Sequence, residues 1–365
     1  MRIMIAGGGT GGHIFPGIAI AEEFKLREPM ADVLFVGTEK GIESRLVPKE
    51  GYAIRFIRSE GIVGVGSIKG IKAMLKVPLS LKDSHNILER FRPDIAIGVG
   101  GYSSGPLVLT AFLMSIPTLI HEQNSVPGLT NRLLSNVARG IAVTYLDSME
   151  FFPKEKTFLT GNPIRSGITR GDRQRAYRMF GLHSGLFTVF VFGGSRGAHS
   201  INMAVLEASG YLSDLREKLQ FLHQTGEKDY EEVKDFYRSR DIKGTVLPFI
   251  FEMPEAYAVS DLVISRAGAS TLAEITACGK ASILIPYPFA ARNHQEINAK
   301  KLWDLGAAQL ILDRELKGKN LSEIIRHLFE NPDAVSDMEK ASRSLGRPDA
   351  AQRIVDLAMG LIRNK

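Results

Sequence analysis

One cysteine, Cys278, stands among the 365 residues, so no disulfide can close within a single chain. No Cys/His cluster has the spacing of a zinc site, and such sparing use of cysteine fits a reducing compartment. Long hydrophobic runs are also missing. The longest, 106–120, is too short to span a bilayer and contains Ser115 and Pro117, so no membrane-crossing helix is expected. A strand and a glycine run begin at Arg2 with no charged segment ahead of an apolar core, which predicts no secretory signal. There is no Arg-rich tract and no alternation of basic and aromatic residues, which argues against nucleic acid as a partner. Charge of one sign is in only slight excess: 46 basic against 40 acidic residues leave +6, which suits an anionic ligand or membrane surface without choosing between them.

What is present is a repeating pattern. Hydrophobic content of 44% and charged content of 24% are those of a soluble globular protein, and the length exceeds one ordinary core. Short β-rich runs alternate with helical stretches from end to end. Strands are expected at RIMIAG, DVLFVG, AIRFI, DIAIGVG and IPTLI in the first half. In the second they are expected at FTVFVFGG, LQFLHQTG, TVLPFI, DLVISRAG, ASILIPYP and AAQLIL. Helical segments such as 16–25, 68–90, 229–239 and 295–305 lie between them. This alternation predicts an α/β fold of parallel strands joined by right-handed helical crossovers.

The pattern runs twice. Each half opens with a strand entering glycines, IMIAGGGTGG and VFVFGGSRGA. Between them the stretch 160–174, TGNPIRSGITRGDRQ, reads as the linker. Two doubly wound domains, 1–164 and 165–347, are therefore expected to face each other across a cleft lined by the carboxyl ends of both sheets. The segment DAAQRIVDLAMGLIRNK is one amphipathic helix whose own pattern does not say which domain it joins.

Gly7, Gly9 and Gly12 fit the G-x-G-x-x-G spacing of dinucleotide binders. Glycines let the backbone approach a phosphate, and a following helix N-terminus adds about half a positive charge. The same turn also serves packing alone in many α/β folds. Two further loops tell against coincidence: GVGGYSSGP (98–106) follows DIAI, and GGSRGA (193–198) follows VFVF. A nicotinamide cofactor needs one such loop. The acid it expects after the second strand is ambiguous here, since Asp32 precedes VLFVG and Glu39 lies just past it.

Taken together, GGTGGHIFPGIAIA, GGYSSGP, HEQNSVPGLTNR, GNPIR, GGSRGA and SRAGASTLAEI resemble the MurG family of bacterial glycosyltransferases along nearly the whole chain. The resemblance implies a GT-B fold, α/β with two facing Rossmann-like domains of doubly wound parallel sheet and the C-terminal helix (348–365) returning to the first. It implies inverting transfer of N-acetylglucosamine from UDP-GlcNAc to the lipid-linked muramyl-pentapeptide, lipid I, giving a β-1,4 linkage and lipid II. It implies no cofactor, a peripheral place on the cytoplasmic face of the bacterial membrane, and other cell-wall synthesis proteins as partners.

Such a transfer must stabilise a diphosphate, deprotonate a hydroxyl, and recognise sugar and base. Asp-x-Asp, one means of holding a metal on the diphosphate, occurs nowhere in the chain. Oriented backbone N–H groups and a helix dipole are the other means. The glycine loops supply them, with Arg165 and Arg266 on neighbouring motifs, and no obligatory metal is expected. His13 closes the first glycine loop, and an imidazole suits a general base, although it also suits a helix-start turn. Glu122 in HEQN is the rival base, or a brace for its loop.

The remaining roles come from the resemblance. It places Gly100, Tyr102 and Ser103 on the acceptor side, and Thr10, Gly11, Gly12, Asn124 and Arg165 at donor-contact positions. It sets Ser195 by the diphosphate and the Ile250 backbone against uracil. Donor contacts run through Ala269, Ser270, Thr271, Leu272, Ala273 and Glu274. Gln295 matches a glutamine that reads sugar hydroxyls. The Glu274 carboxylate can accept from both ribose hydroxyls; outside its motif it would be an ordinary exposed helix glutamate.

A lipid acceptor requires contact with a membrane face. The stretch 61–82 has four lysines and no acidic residue, with Ile71, Leu75 and Leu79 at i, i+4, i+8 beside Lys72 and Lys76. That is the pattern of an interfacial helix and equally of a core-facing one. The aromatic residues usual in the family patch are replaced by Lys82 and His85, which favours electrostatic attraction over insertion. A UDP-sugar 2-epimerase of the same fold and a noncatalytic nucleotide-sugar-binding subunit are the alternatives.

Overall fold

The computed structural model describes residues 1–59 and 77–363. The chain divides into two compact units, one from Met1 to Ser166 together with the stretch from Arg347 onward, the other from Gly167 to Gly346.

The first unit is a seven-stranded sheet in the order β3-β2-β1-β4-β5-β6-β7. Its strands are β1 (Arg2–Ala6), β2 (Asp32–Gly37), β3 (Ala53–Phe56), β4 (Ile95–Gly98), β5 (Thr118–Glu122), β6 (Gly140–Val143) and β7 (Thr157–Leu159), with every pairing parallel. The helices between them are α1 (Gly11–Arg27), α2 (Glu43–Lys49), α3 (Val77–Phe91), α4 (Ser104–Leu113) and α5 (Leu129–Leu134). Alternate residues of a strand face opposite sides. Ile3 and Ile5 thus join the core layer containing Ile14, Ile18 and Phe24 of α1, while Met4 and Ala6 join Leu88, Leu107 and Ala111. Both faces of the central strands are covered, which is why β1 after Arg2 and β4 read as apolar runs.

Two of the seven strands, β6 and β7, were not among the five expected here. β6 is a four-residue run, and β7 is a three-residue edge strand with Phe158 and Leu159 both exposed. Runs that short carry too little periodicity to stand out.

The second unit repeats the arrangement. Its strands β8 (Phe187–Phe192), β9 (Leu219–Gln224), β10 (Gly244–Leu247), β11 (Leu262–Ser265), β12 (Ser282–Leu284) and β13 (Gln309–Leu310) lie in the order β10-β9-β8-β11-β12-β13, again all parallel. They connect through α6 (Arg173–Phe180), α7 (His199–Tyr211), α8 (Tyr230–Ser239), α9 (Met253–Val259), α10 (Ala269–Cys278), α11 (His294–Asp304), α12 (Gly318–Glu330) and α13 (Pro332–Leu345). Stop signals are local: α6 begins where the Asp172 carboxylate accepts from Arg175 N at 2.6 Å and ends at left-handed Gly181. Phe190 and Phe192 stack at 4.7 Å on one face, with the Tyr257 ring edge-on to both.

The last helix, α14 (Ala350–Arg363), belongs to the first unit. Ile354, Val355 and Ala358 complete the layer around Ile3 and Ile5, and Arg27 pairs with Asp356. Gly140 leaves room for it, since a Cβ there would lie 2.9 Å from Leu361 Cδ1. The division between the units falls after Ser166 rather than after Ile164. Arg165 lies over the Phe15 ring at 4.6 Å, and Ser166 N donates to Glu22 Oε2 at 2.6 Å, which ties both residues to α1.

Each unit buries one histidine completely, His121 in β5 and His223 in β9. Burial lowers His121 from its ordinary 6.5 to about 4, and His223 to about 3. Both depressed values mean that the neutral ring belongs to the native state. Between 6.5 and these values the unfolded chain takes up protons that the folded chain does not. Stability is therefore full above pH 6.5 and falls on acidification, by up to about 1.4 kcal/mol per pH unit for each ring. Urea midpoints should drop between pH 7 and pH 5; an unchanged midpoint would contradict this.

Candidate functional site

In each sheet one pair of neighbouring central strands sends its connections in opposite directions, β1/β4 in the first unit and β8/β11 in the second. Ligands of open α/β sheets bind outside the carboxyl ends at such switch points. All three glycine loops singled out in the sequence lie there.

In the first unit the loop Gly7–Thr10 follows β1 and the loop Val99–Ser103 follows β4. The two are in backbone contact. A Cβ on Gly101 would sit 2.2 Å from Gly8 O, and one on Gly7 would sit 2.4 Å from Val99 Cγ2. Gly9, Gly100 and Gly101 have φ of +89°, +93° and +81°, which other residues adopt only with strain.

Thr10 is the N-cap of α1, but its hydroxyl does not cap the helix; it lies 3.3 Å from His13 Nδ1. Gly11 and Gly12 form the first turn, half-buried. His13 Nδ1 is 3.1 Å from Gly8 O, and a Cβ on Gly100 would meet its Nε2 at 2.9 Å. A carbonyl only accepts, so the contact to Gly8 O fits the ring tautomer that carries its proton on Nδ1. The Tyr102 ring is half-exposed beside Gly9, whereas Ser103 is fully buried at the start of α4.

The HEQN motif runs from the end of β5 into the loop that follows it. Glu122 is only 2% exposed, and its carboxylate accepts four bonds. They come from Asn124 N at 3.0 Å, Asn124 Nδ2 at 3.3 Å, Gly128 N at 3.1 Å and Asn131 Nδ2 at 2.8 Å. Burial raises its pKa, and these donors oppose the rise. Of the two readings of Glu122, this geometry is that of a brace: it shapes its own loop and orients Asn124. Beside it, Gln123 Nε2 donates to Val99 O at 2.7 Å and to His121 Nδ1 at 3.2 Å, and His121 Nε2 reaches Gly161 O at 3.2 Å. That chain of bonds ties the second glycine loop to the GNPIR segment carrying Arg165.

In the second unit the loop Gly193–Ala198 leads into α7. Gly194 and Gly197 have φ of +91° and +74°, and a Cβ on Gly197 would fall 1.9 Å from Thr225 O. Ser195 is exposed on the loop. Gln224 bridges two elements: its Nε2 donates to Gly194 O at 3.0 Å and its Oε1 accepts from Ile250 N at 2.8 Å. Beyond β11, Gly268 starts α10 without a side-chain cap, so the first-turn amides of Ala269, Ser270 and Thr271 form a positive helix end. Leu272 is buried in the core and Ala273 half-buried.

Glu274, one turn further, is 7% exposed and accepts from Tyr257 OH at 3.0 Å. Gln295, at the start of α11, accepts from Tyr287 N at 2.9 Å through Oε1. Arg266 does not offer a bare charge. Its guanidinium pairs with Asp313 at 2.5 Å and donates to Ser200 Oγ, Ile285 O and Pro286 O, which makes it a clamp between loops.

Comparison with known proteins is consistent along the full length. The glycosyltransferase family 28 N-terminal domain matches residues 3–143 and its C-terminal domain residues 188–354. A protein of Thermodesulfovibrio yellowstonii is 51% identical over 365 residues, all of both chains. It is named UDP-N-acetylglucosamine--N-acetylmuramyl-(pentapeptide) pyrophosphoryl-undecaprenol N-acetylglucosamine transferase. A Geobacter relative of the same name is 48% identical over 355 residues, 97% of this chain and 95% of its own. The crystal structure of Acinetobacter baumannii MurG superposes with a TM-score of 0.75 at 30% identity, covering 98% of each chain. The chain belongs to the MurG family.

Its fold is accordingly GT-B. A UDP-GlcNAc 2-epimerase from Neisseria meningitidis shares that fold at a TM-score of 0.70 but only 14% identity. Within this MurG-family chain, His13, Thr10, Gly11, Gly12, Gly100, Tyr102, Ser103, Asn124 and Arg165 all belong to the first unit. Ser195, Ile250, the 269–274 turn and Gln295 belong to the second. Of the membrane-patch residues, Ile71, Lys72, Leu75 and Lys76 lie outside the described residues, and Leu79 is 41% exposed on α3. Sequence reading missed Glu43, Gln123, Gln224 and Tyr257, which hold the loops, Ile250 and Glu274 from behind. Gln123 left a trace as a member of the HEQN motif, and Glu43 in the glycines Gly37 and Gly41 close before it.

Proposed function

We propose that this chain transfers N-acetylglucosamine from UDP-GlcNAc to lipid I, forming lipid II with inversion at the anomeric carbon. The observation that carries this reading is 51% identity over every residue to a transferase of that name. The 2-epimerase reading rests on fold alone.

The second unit takes the donor. The amides of Gly193–Ala198 and of the α10 first turn meet the diphosphate, with the Ser195 hydroxyl on one of its oxygens. Ile250 N–H is already bonded to Gln224, so a backbone contact to uracil N3–H falls to the Ile250 carbonyl. Glu274, held by Tyr257, accepts from the ribose hydroxyls, and Gln295 has its amide nitrogen for a sugar hydroxyl. The first unit takes the acceptor beside Gly100 and Tyr102, with Thr10, Gly11, Gly12, Asn124 and Arg165 contributing to the donor sugar. His13 Nε2 removes the acceptor proton as the hydroxyl oxygen bonds to the anomeric carbon. The bond to UDP breaks on the opposite face, and UDP departs with the electron pair.

The assay is release of UDP that depends on lipid I and yields lipid II, at the same rate in EDTA. An epimerase would act without acceptor, and a binding subunit would release nothing. Either result, or activity lost in EDTA and restored only by a divalent cation, would refute the reading.

A peripheral seat on the membrane supports that substrate. No helix among the described residues is long and apolar enough to cross a bilayer. On the first unit Leu79, Phe112, Leu113 and Leu133 are exposed, and Lys82 lies on α3 with Leu79. Binding to vesicles containing anionic lipid is expected, weakening as salt screens the lysines. Salt-independent binding, or none, would count against it.

A further inference from the structure

Glu43 is a fully buried carboxylate facing the first glycine loop, and nothing in the mechanism above uses it. Its Oε2 accepts from Gly9 N at 3.0 Å, and its Oε1 accepts from Thr38 N and Thr38 Oγ1, each at 2.9 Å. Among the described residues these partners are all neutral. Three glycines from separate stretches clear space for it. A Cβ on Gly8, Gly37 or Gly41 would come within 2.3, 2.5 or 2.0 Å of the Glu43 side chain. Burying a carboxylate among neutral donors is costly, so the arrangement calls for a reason beyond packing.

The reason lies in one peptide bond. Gly9 N–H and Gly8 C=O are the two ends of the same unit, and no peptide bond among the described residues is cis. A trans peptide is planar, with N–H and C=O pointing opposite ways, so an anchor on one end aims the other. The Gly8 carbonyl is the one that His13 Nδ1 approaches at 3.1 Å. The competing neighbour of Nδ1 is the Thr10 hydroxyl at 3.3 Å, which can donate or accept and so satisfies either ring tautomer. Of these two neighbours, the Gly8 carbonyl is the one that demands the proton on Nδ1. A charge-assisted bond at Gly9 N–H also polarises the amide and makes Gly8 O a better acceptor.

We propose that Glu43 is a positioning residue which, through the Gly8–Gly9 peptide, holds His13 in the tautomer whose lone pair is on Nε2. The kinetic part rests on His13 being the base; the tautomer part does not.

The test is Glu43→Gln with Glu43→Asp beside it. In Glu43→Gln the amide oxygen can serve the two Thr38 donors, which turns the NH2 onto Gly9 N–H, donor against donor. Nitrogen-15 spectra of histidine-labelled protein, with His13 assigned by its loss in His13→Ala, report the tautomer. Wild type should show Nδ1–H. Glu43→Gln should populate Nε2–H and lose roughly 10- to 100-fold in kcat, part of what a general base supplies. Its affinity for UDP alone should be unchanged. Glu43→Asp, which keeps the charge at a shorter reach, should recover part of both signals and is the deciding variant if Glu43→Gln does not fold. A wild-type ring in the Nε2–H form overturns the proposal, as does a folded Glu43→Gln with either tautomer or kcat unchanged. Should His13→Ala keep its kcat, the base assignment fails separately and the spectra still decide the role of Glu43.

Discussion

His13→Ala should lower kcat by roughly 10²- to 10⁴-fold, the range a positioned general base contributes. Affinity for UDP should stay as in wild type, because the groups proposed to hold UDP belong to the other unit. Two features single out this ring. Its Nδ1 lies against Gly8 O, which leaves Nε2 as the basic atom in the proposed tautomer, and the ring is half-buried in the first turn of α1 beside a loop whose glycines bring backbone against it. The rival carboxylate of Glu122 meets four donors on its own loop, so taking a substrate proton there would cost bonds that shape the loop. Kinetics with saturating donor and varied acceptor measure the effect. A variant with near-normal kcat would mean that some other group takes the proton.

Glu274→Ala should raise the donor KM by about 10- to 100-fold, with less effect on kcat. Hydrogen bonds to a charged group contribute about 1.5–3 kcal/mol, and tenfold in affinity is about 1.4 kcal/mol. The carboxylate is already ordered by Tyr257 OH at 3.0 Å, so little entropy is lost when ribose binds. The substitution also removes the bond donated by the buried Tyr257 hydroxyl, at a stability cost of about 1 kcal/mol. Donor titration at fixed acceptor, alongside a thermal melt, separates the two consequences. Unchanged donor kinetics would remove Glu274 from the binding groups.

The parallel α/β architecture was legible because its signals are local. β1 and β8 are largely apolar runs followed at once by glycine, and all six strands expected in the second half are present. β6 and β7 escaped because three or four residues carry no period. The linker was legible as composition, but the point of division within it was not: Arg165 and Ser166 join the first unit through Phe15 and Glu22, contacts across more than a hundred positions. Arg266 shows the opposite limit. Its motif suggested a charge for the diphosphate, and the fold surrounds it with Asp313 and two carbonyls.

By itself the sequence determined the doubled strand–glycine–helix pattern and the chemical types at the loop ends, since both follow from short-range sterics and hydropathy. Only the tertiary structure brought the Gly8 carbonyl to His13 Nδ1, gathered four donors on the Glu122 carboxylate, and set a buried Glu43 behind the first glycine loop. Those outcomes depend on where a carbonyl or amide from a distant segment arrives, to within a few tenths of an ångström. Hydrogen bonds are that sensitive to distance and direction, and residue spacing along a chain does not encode either.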